Sequence, residues 1–322
     1  MHEEDTHSFS IVVTVYNGED SIGELVRQIG ECVPRLGGPF EVILVNDHSR
    51  DRSWEIVERL AAEHDWVRGI DFARNYGQHS ALLAGIRAAR YEIVVTMDDD
   101  LEHPPSEIGL LVDKLDEGYD VVYGTPERQQ HGLLRDAAAA LTKLTLTDSL
   151  GSGAARNISS FRAFRTRLRD GFARVDGPYV FVDALLSWST SRFGHVRVRH
   201  EPRRSGTSNY TLRRLIVHAL TVVTSFCVWP LRVAFVLGAV MALVGGAVGV
   251  AALVTASSAY VVAMAVLLAA GTLLFAIGVG GEYLARVHFR LMGKPAYVVR
   301  ETTGDAGAGD VAGRTVAARE ER

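Results

Sequence analysis

Residues 233–281 contain no Asp, Glu, Lys or Arg. A membrane-spanning helix needs about 20 apolar residues, so the stretch has room for two. Its only polar break, TASSAY at 255–260, is placed for a tight turn between them. A soluble helical hairpin buried in a core is the competing reading, and so long an uncharged run speaks against it. Arg213, Arg214 and Arg232 precede the stretch, Arg286, Arg290 and Lys294 follow it, and the turn has no basic residue. The positive-inside rule then puts both flanks in the cytoplasm. The expectation is a multi-pass protein of the inner (cytoplasmic) membrane with its large N-terminal part and both termini cytoplasmic. A formal net charge of −4 argues against a general nucleic-acid binder. Two distant cysteines, Cys32 and Cys227, form no disulfide framework and fit a reducing compartment. The acidic start, MHEEDTHS, is no signal peptide.

Ahead of the apolar stretch, residues 9–125 alternate strand and helix signals. FSIVVTVYN, FEVILVND, VRGIDF, EIVVTMD and DVVYGT are short runs rich in Val and Ile, and 21–36, 52–64, 78–90 and 104–117 read as helices between them. That order predicts a mostly parallel sheet with helices on both faces. Ligands of such sheets bind outside the carboxyl ends of the strands. Asn17, Asp47 and Asp98, Asp99 and Asp100 fall at those ends. A single Asn or Asp there is equally well a cap or turn residue; three adjacent aspartates exceed what one cap needs.

Side chains alternate along an extended strand. Asp98 and Asp100 therefore share one side, and Glu102 rejoins them if the chain stays extended. Converging carboxylates call for a cation, and an all-oxygen set suits Mg2+ or Mn2+, which complete their shells with substrate phosphates. Neither GxxxxGK[ST] nor GxGxxG occurs in the sequence, so a P-loop NTPase and a dinucleotide enzyme are unsupported. Further on, residues 156–214 hold thirteen arginines against four acids, Asp170, Asp176, Asp183 and Glu201. Contact with anionic headgroups accounts for most of these; an anionic substrate at the membrane surface needs only a few.

IVVTVYNGEDSI, VILVNDHSRDRSWEIV, IDFARNYGQHSALLAGIRAA, TMDDDLEHPPSEI and GYDVVYG together resemble the family 2 glycosyltransferases with their Asp-x-Asp motif. RRSGTSNY, WPLR, GEYLAR and KPAYVV extend the resemblance to the polyprenyl-phosphate glycosyltransferases, over about residues 9–300. The resemblance implies a GT-A-like, nucleotide-sugar-binding sheet followed by a two-helix transmembrane hairpin. It also implies transfer of a sugar, with inversion, from a nucleotide-diphosphate sugar to a polyprenyl (undecaprenyl) phosphate. Some relatives with this hairpin are tetramers, which makes a homo-oligomer an expectation too. The implied organisation is an N-terminal tail (1–8), a cytoplasmic transferase domain (9–208), a juxtamembrane amphipathic helical region (209–232), two transmembrane helices (233–281), a cytoplasmic juxtamembrane segment (282–300) and a disordered tail (301–322).

Matching positions imply roles. Asp98, Asp100 and Glu102 would hold Mg2+ or Mn2+ on the donor diphosphate. Tyr16, Asp47, Arg74, Asp99 and Arg128 would bind the nucleotide sugar. Arg156, Arg203 and Ser208 would bind the acceptor phosphate, with Asp100, Arg156 and Arg203 serving catalysis. His79 and His103 are read as packing or surface residues rather than ligands, and Glu282 and Arg286 as an i,i+4 ion pair. The sequence also departs from the family. Thr14–Gly18 replaces a Pro-Val-Tyr-Asn-Glu opening, Ser208-Asn209-Tyr210 replaces Ser-Lys-Tyr, and Arg156 stands where many relatives carry a proposed aspartate base. Two competing readings are a membrane glycosyltransferase extending a polysaccharide or glycolipid, and a non-catalytic membrane scaffold. Processive relatives carry a Gln-x-x-Arg-Trp motif absent from this sequence, and the intact 98/100 pair speaks against the scaffold.

Overall fold

The structure is a computed structural model that describes residues 7–126, 158–173, 175–201, 229–255 and 259–304. The described residues divide into two compact units: those up to 201 together with 295–304 form one, and those of 229–294 the other.

The first unit is built on an eight-stranded sheet in the order β7-β5-β6-β4-β1-β2-β3-β8. The strands are β1 (Phe9–Val15), β2 (Phe40–Asn46), β3 (Val67–Phe72), β4 (Ile93–Asp98), β5 (Val121–Pro126), β6 (Arg162–Arg165), β7 (Phe193–Val198) and β8 (Val299–Thr303). The four central strands, β4-β1-β2-β3, run parallel. β6 and β8 are antiparallel to their neighbours, and β5 pairs in parallel with β7. The expected mostly parallel sheet with helices on both faces is therefore present, with antiparallel strands added outside its parallel centre.

All seven residues of β1 are buried, as a central strand covered on both faces requires. Its Phe9, Ile11, Val13 and Val15 pack with α1 (Ile22–Cys32), α2 (Ser53–Glu63) and α4 (Ile108–Asp116) on one face. Val12 packs on the opposite face with α3 (Gln78–Ala88) and α5 (Val182–Ser189). α1 shows the usual reason for its position: Ile22, Leu25, Val26 and Ile29 recur at helical spacing and are buried. In α3, Gly85 permits the approach, because a Cβ there would stand 2.3 Å from Val12 Cγ1.

β8 corrects the expected organisation. The disordered tail was to begin at 301, yet Glu301 and Thr303 pair with Asp71 and Gly69 of β3. The globular unit thus includes a strand from beyond the apolar segment, and the 9–208 span does not contain the whole sheet.

The second unit contains α6 (Trp229–Thr255) and α7 (Ala259–Leu291), packed against each other. Within α7, Met264–Phe289 is long and apolar enough to cross a membrane, with a mean hydropathy of 2.1. Val233–Val248 in α6 is a shorter apolar helical segment. Among the described residues one helix, not two, passes that length and composition test. Arg286 Nη2 lies 2.6 Å from Glu282 Oε1, the ion pair read from their spacing.

At the amino-terminal edge of the sheet, Arg68 Nη2 meets Glu41 Oε2 at 2.6 Å, and both side chains are almost wholly buried. Glu41 Oε1 also accepts a hydrogen bond from Ser10 Oγ (2.6 Å). Removing one partner of a buried pair leaves an uncompensated charge and costs about 3–5 kcal/mol. Arg68→Met should therefore lower the melting temperature of the detergent-solubilised chain clearly, whereas Arg59→Met, at an exposed pair, should barely move it.

Candidate active site

Parallel pairing brings the carboxyl ends of β1, β2, β3 and β4 to one edge. Asp98 is the last residue of β4 and pairs with Thr14 of β1. Its Oδ1 accepts hydrogen bonds from Gln78 Nε2 (2.6 Å) and, more weakly, Thr14 Oγ1 (3.4 Å). Burial pushes the Asp98 carboxyl above its ordinary range, and the Asp100 charge pushes the same way. The buried Arg162 guanidinium offsets part of this. Arg162 itself is held by Asp183, which also accepts from Tyr123 Oη (2.8 Å). Arg162 and Gln78 had drawn no role from the sequence; the only signals were their places beside Phe161 and in the RNYGQHS run.

Asp99 turns to the β1 end. Its Oδ2 accepts the Tyr16 amide (3.2 Å) and lies where a side chain at residue 18 would stand, 2.2 Å from an added Cβ. The departure from the family's Glu at position 18 thus has a local reason: Gly18 leaves room for Asp99. Burial raises Asp99 to about 7, and Asp98 and Asp100 add to the shift.

The strand does not continue through the acidic run. β4 stops at Asp98, Leu101 takes a left-handed φ of 62°, and the Glu102 amide turns back onto Asp100 Oδ1 (3.1 Å). The expectation that Glu102 rejoins Asp98 and Asp100 along an extended strand is overturned by this turn. Its carboxylate instead lies 3.5 Å from His200 Nε2. Among the described residues no three His, Cys, Asp or Glu side chains are arranged to hold a metal ion. What remains is Asp98 and Asp100, near enough for the Asp100 charge to push the Asp98 carboxyl up. Two oxygen donors whose charges repel fit a hard divalent ion that takes its remaining ligands from a bound phosphate.

Asp47, just beyond β2, is spent largely on backbone. Its Oδ1 and Oδ2 accept the amides of Tyr76 (2.7 Å) and Gly77 (2.8 Å), and its carbonyl accepts Asn75 Nδ2 (3.1 Å). Burial raises its carboxyl to about 6 against those two amides. Asp47 therefore shapes the 73–77 loop. Arg74 on that loop stacks over the Tyr76 ring, 4.5 Å from its centroid, and Tyr16 is half exposed at the same edge. The β1 and β2 loops are tied to each other: Asn17 N donates to Ser49 Oγ (2.9 Å), Arg50 N to Asn17 Oδ1 (2.9 Å) and Gly18 N to Ser53 Oγ (2.9 Å). His79 packs edge-on against Phe181, and His103 stacks on Phe161. Arg128, Arg156, Arg203 and Ser208 lie outside the described residues.

An edge of this kind, with carboxylates at a strand end and ordered loops around them, suits a metal-bound diphosphate. Residues 10–172 match the glycosyl transferase family 2. The chain is 31% identical over 301 residues to an undecaprenyl-phosphate 4-deoxy-4-formamido-L-arabinose transferase of Klebsiella pneumoniae, covering 90% of this chain and 92% of the relative. It is 30% identical to the transferase of the same description from Salmonella paratyphi B, covering 91% and 92%. Among solved structures, the fold is similar to glucosyl-3-phosphoglycerate synthase of Mycobacterium tuberculosis in complex with Mn2+, UDP and glucosyl-3-phosphoglycerate. That similarity has a TM-score of 0.51 at 21% identity and covers 69% of this chain and 80% of the other. This chain belongs to the family 2 glycosyltransferases.

Proposed function

We propose that this enzyme transfers a sugar from a nucleotide-diphosphate sugar to undecaprenyl phosphate, giving a lipid-linked monosaccharide. The observation that carries the reading is near-complete collinearity with undecaprenyl-phosphate sugar transferases, at 31% identity over 90% of the chain. The Asp98–Asp100 pair at the carboxyl edge supports it. Asp98 and Asp100 would hold Mg2+ or Mn2+ together with the donor diphosphate. When bound, the ion neutralises charge on the departing diphosphate. Tyr16, Arg74 and the loop shaped by Asp47 receive the nucleoside, Asp99 holds the β1 end in place, and Arg128 covers the donor.

An acceptor phosphate oxygen attacks the anomeric carbon from the side opposite the diphosphate. The bond to the diphosphate oxygen breaks, the configuration inverts, and the nucleoside diphosphate leaves. No protein base is needed, because a phosphate monoester loses its second proton near pH 6. Arg156, Arg203 and Ser208 hold the acceptor phosphate, which fits an arginine at 156 in place of an acid. The apolar segments of α6 and α7 cross the membrane as a hairpin, which puts both flanks on the cytoplasmic side.

The deciding experiment incubates membranes containing the chain with a panel of radiolabelled sugar nucleotides and undecaprenyl phosphate. Label should enter the lipid fraction from one donor, and none from any donor would refute the reading. Asp100→Asn should lower this transfer by at least about 100-fold while the protein stays folded and membrane-bound. Full activity in excess Mg2+ or Mn2+ would remove Asp100 from the metal site. The transfer rate should rise through about pH 6 and then flatten as the acceptor becomes dianionic. Reporter fusions at residue 257 and at the C-terminus should report opposite sides of the membrane; the same side for both would refute two spans.

A further inference from the structure

The strand that follows α7 joins the same edge of the sheet that carries the candidate site. Val298 accepts the Ala73 amide at 3.0 Å, just where β3 gives way to the 73–77 loop. The Tyr297 ring stacks on Phe72, with centroids 5.2 Å apart and planes 9° apart, and Phe72 meets Tyr76 edge-on at 5.7 Å. Tyr76 is one of the residues whose amide Asp47 binds.

A polar chain starts two residues later. Arg300 Nε lies 2.6 Å from Asp71 Oδ2, an ion pair not aligned as a hydrogen bond, and Asp71 is almost wholly buried. Asp71 Oδ1 accepts Asn46 Nδ2 at 2.5 Å. Asn46 Oδ1 accepts Ser49 Oγ at 2.5 Å, and Ser49 Oγ in turn accepts the Asn17 amide at 2.9 Å. The chain thus runs from β8 through the carboxyl ends of β3 and β2 into the β1 loop, beside Tyr16, whose amide Asp99 accepts. From Asp71 inward each member orients the next through a hydrogen bond, and Arg300 acts on Asp71 through its charge. Asn46, with its amide nitrogen committed to Asp71, presents its oxygen to Ser49. Burial pushes the Asp71 carboxyl up, and Arg300 offsets that, so the guanidinium helps keep Asp71 an acceptor.

We propose that Arg300 is a positioning residue for the donor nucleotide: through Asp71, Asn46 and Ser49 it fixes the β1 and β2 loops, while Tyr297 and Val298 fix the 73–77 loop. The strand beyond the apolar helices is then part of the donor site, although it touches no substrate. This rests on the reading of the carboxyl edge as a nucleotide site. Arg300 is half exposed, so its replacement is compatible with folding. Lysine restores the charge but reproduces the guanidinium geometry only in part.

The test measures binding of UDP and of GDP, each with Mg2+, to the full detergent-solubilised chain by calorimetry, alongside its melting temperature. Arg300→Ala should weaken binding of the preferred diphosphate about tenfold, as loss of an orienting partner does. Arg300→Lys should recover most of the affinity. Arg68→Met, which breaks a buried pair at the far edge of the same sheet, serves as the stability control. It should lower the melting temperature more than Arg300→Ala and leave diphosphate affinity unchanged below the melt. Unchanged affinity in Arg300→Ala, or affinity losses that follow melting temperature across all three variants, would overturn the proposal. If the parent chain binds neither diphosphate, the nucleotide reading itself falls and the positioning role falls with it.

Discussion

Negative charge held beside the end of a buried strand is the constraint on which the site depends. Water stabilises an ionised carboxylate far better than a protein interior does, and Asp98, Asp99 and Asp100 also repel one another. The structure answers this separately for each. Asp98 has Gln78 and Thr14, with Arg162 behind it. Asp99 has the Tyr16 amide. Asp100 accepts the amide of Glu102 across the turn that ends the strand. These contacts orient the carboxylates without cancelling their charge, because Arg162 is already held by Asp183.

The opposite edge of the same sheet shows what a closed arrangement looks like. Glu41 meets Arg68 and Ser10 and accepts the backbone amide of Arg90 (2.8 Å). Charge there is matched within the protein, and the consequence is stability. At the carboxyl edge Arg162, which offsets part of the Asp98 shift, is itself held by Asp183, while Asp98 and Asp100 both push Asp99 up. The difference between the two edges, more than the presence of acids at either, separates a structural ion pair from a binding site.

The parallel core was legible because it depends on local pattern. Short Val/Ile runs alternating with helical segments define β1–β4 and α1–α4, and the strand ends follow from them. The path of residues 98–102 was not legible. Alternation predicts side-chain direction only while a strand continues, and the positive φ of Leu101 ends it. The role of Asp47 was equally hidden, since its type and position suit a ligand contact as well as two backbone amides. Arg162 and Asp183 lie far apart in sequence, and neither has a local pattern that announces a buried pair. β8 was hidden for another reason: Glu301 and Thr303 sit at the start of a Gly- and Ala-rich polar tail, and only pairing with β3 makes a strand of them.

That pairing changes how the chain must be assembled. β3 and β8 come from either side of the long apolar segment, so the sheet is completed only after α6 and α7 have been synthesised. Loop-closure entropy disfavours such distant pairing, though its cost grows slowly with loop length. The local contacts at β8 supply the compensation: the Phe72–Tyr297 stack, the Ala73–Val298 hydrogen bond and the Arg300–Asp71 ion pair. Two of the three lie at the junction between β3 and the 73–77 loop. Until β8 docks, this loop has Asp47 but lacks its second support. The same few contacts that close the sheet also finish the edge at which the donor would bind, so completion of the fold and completion of the site become a single event.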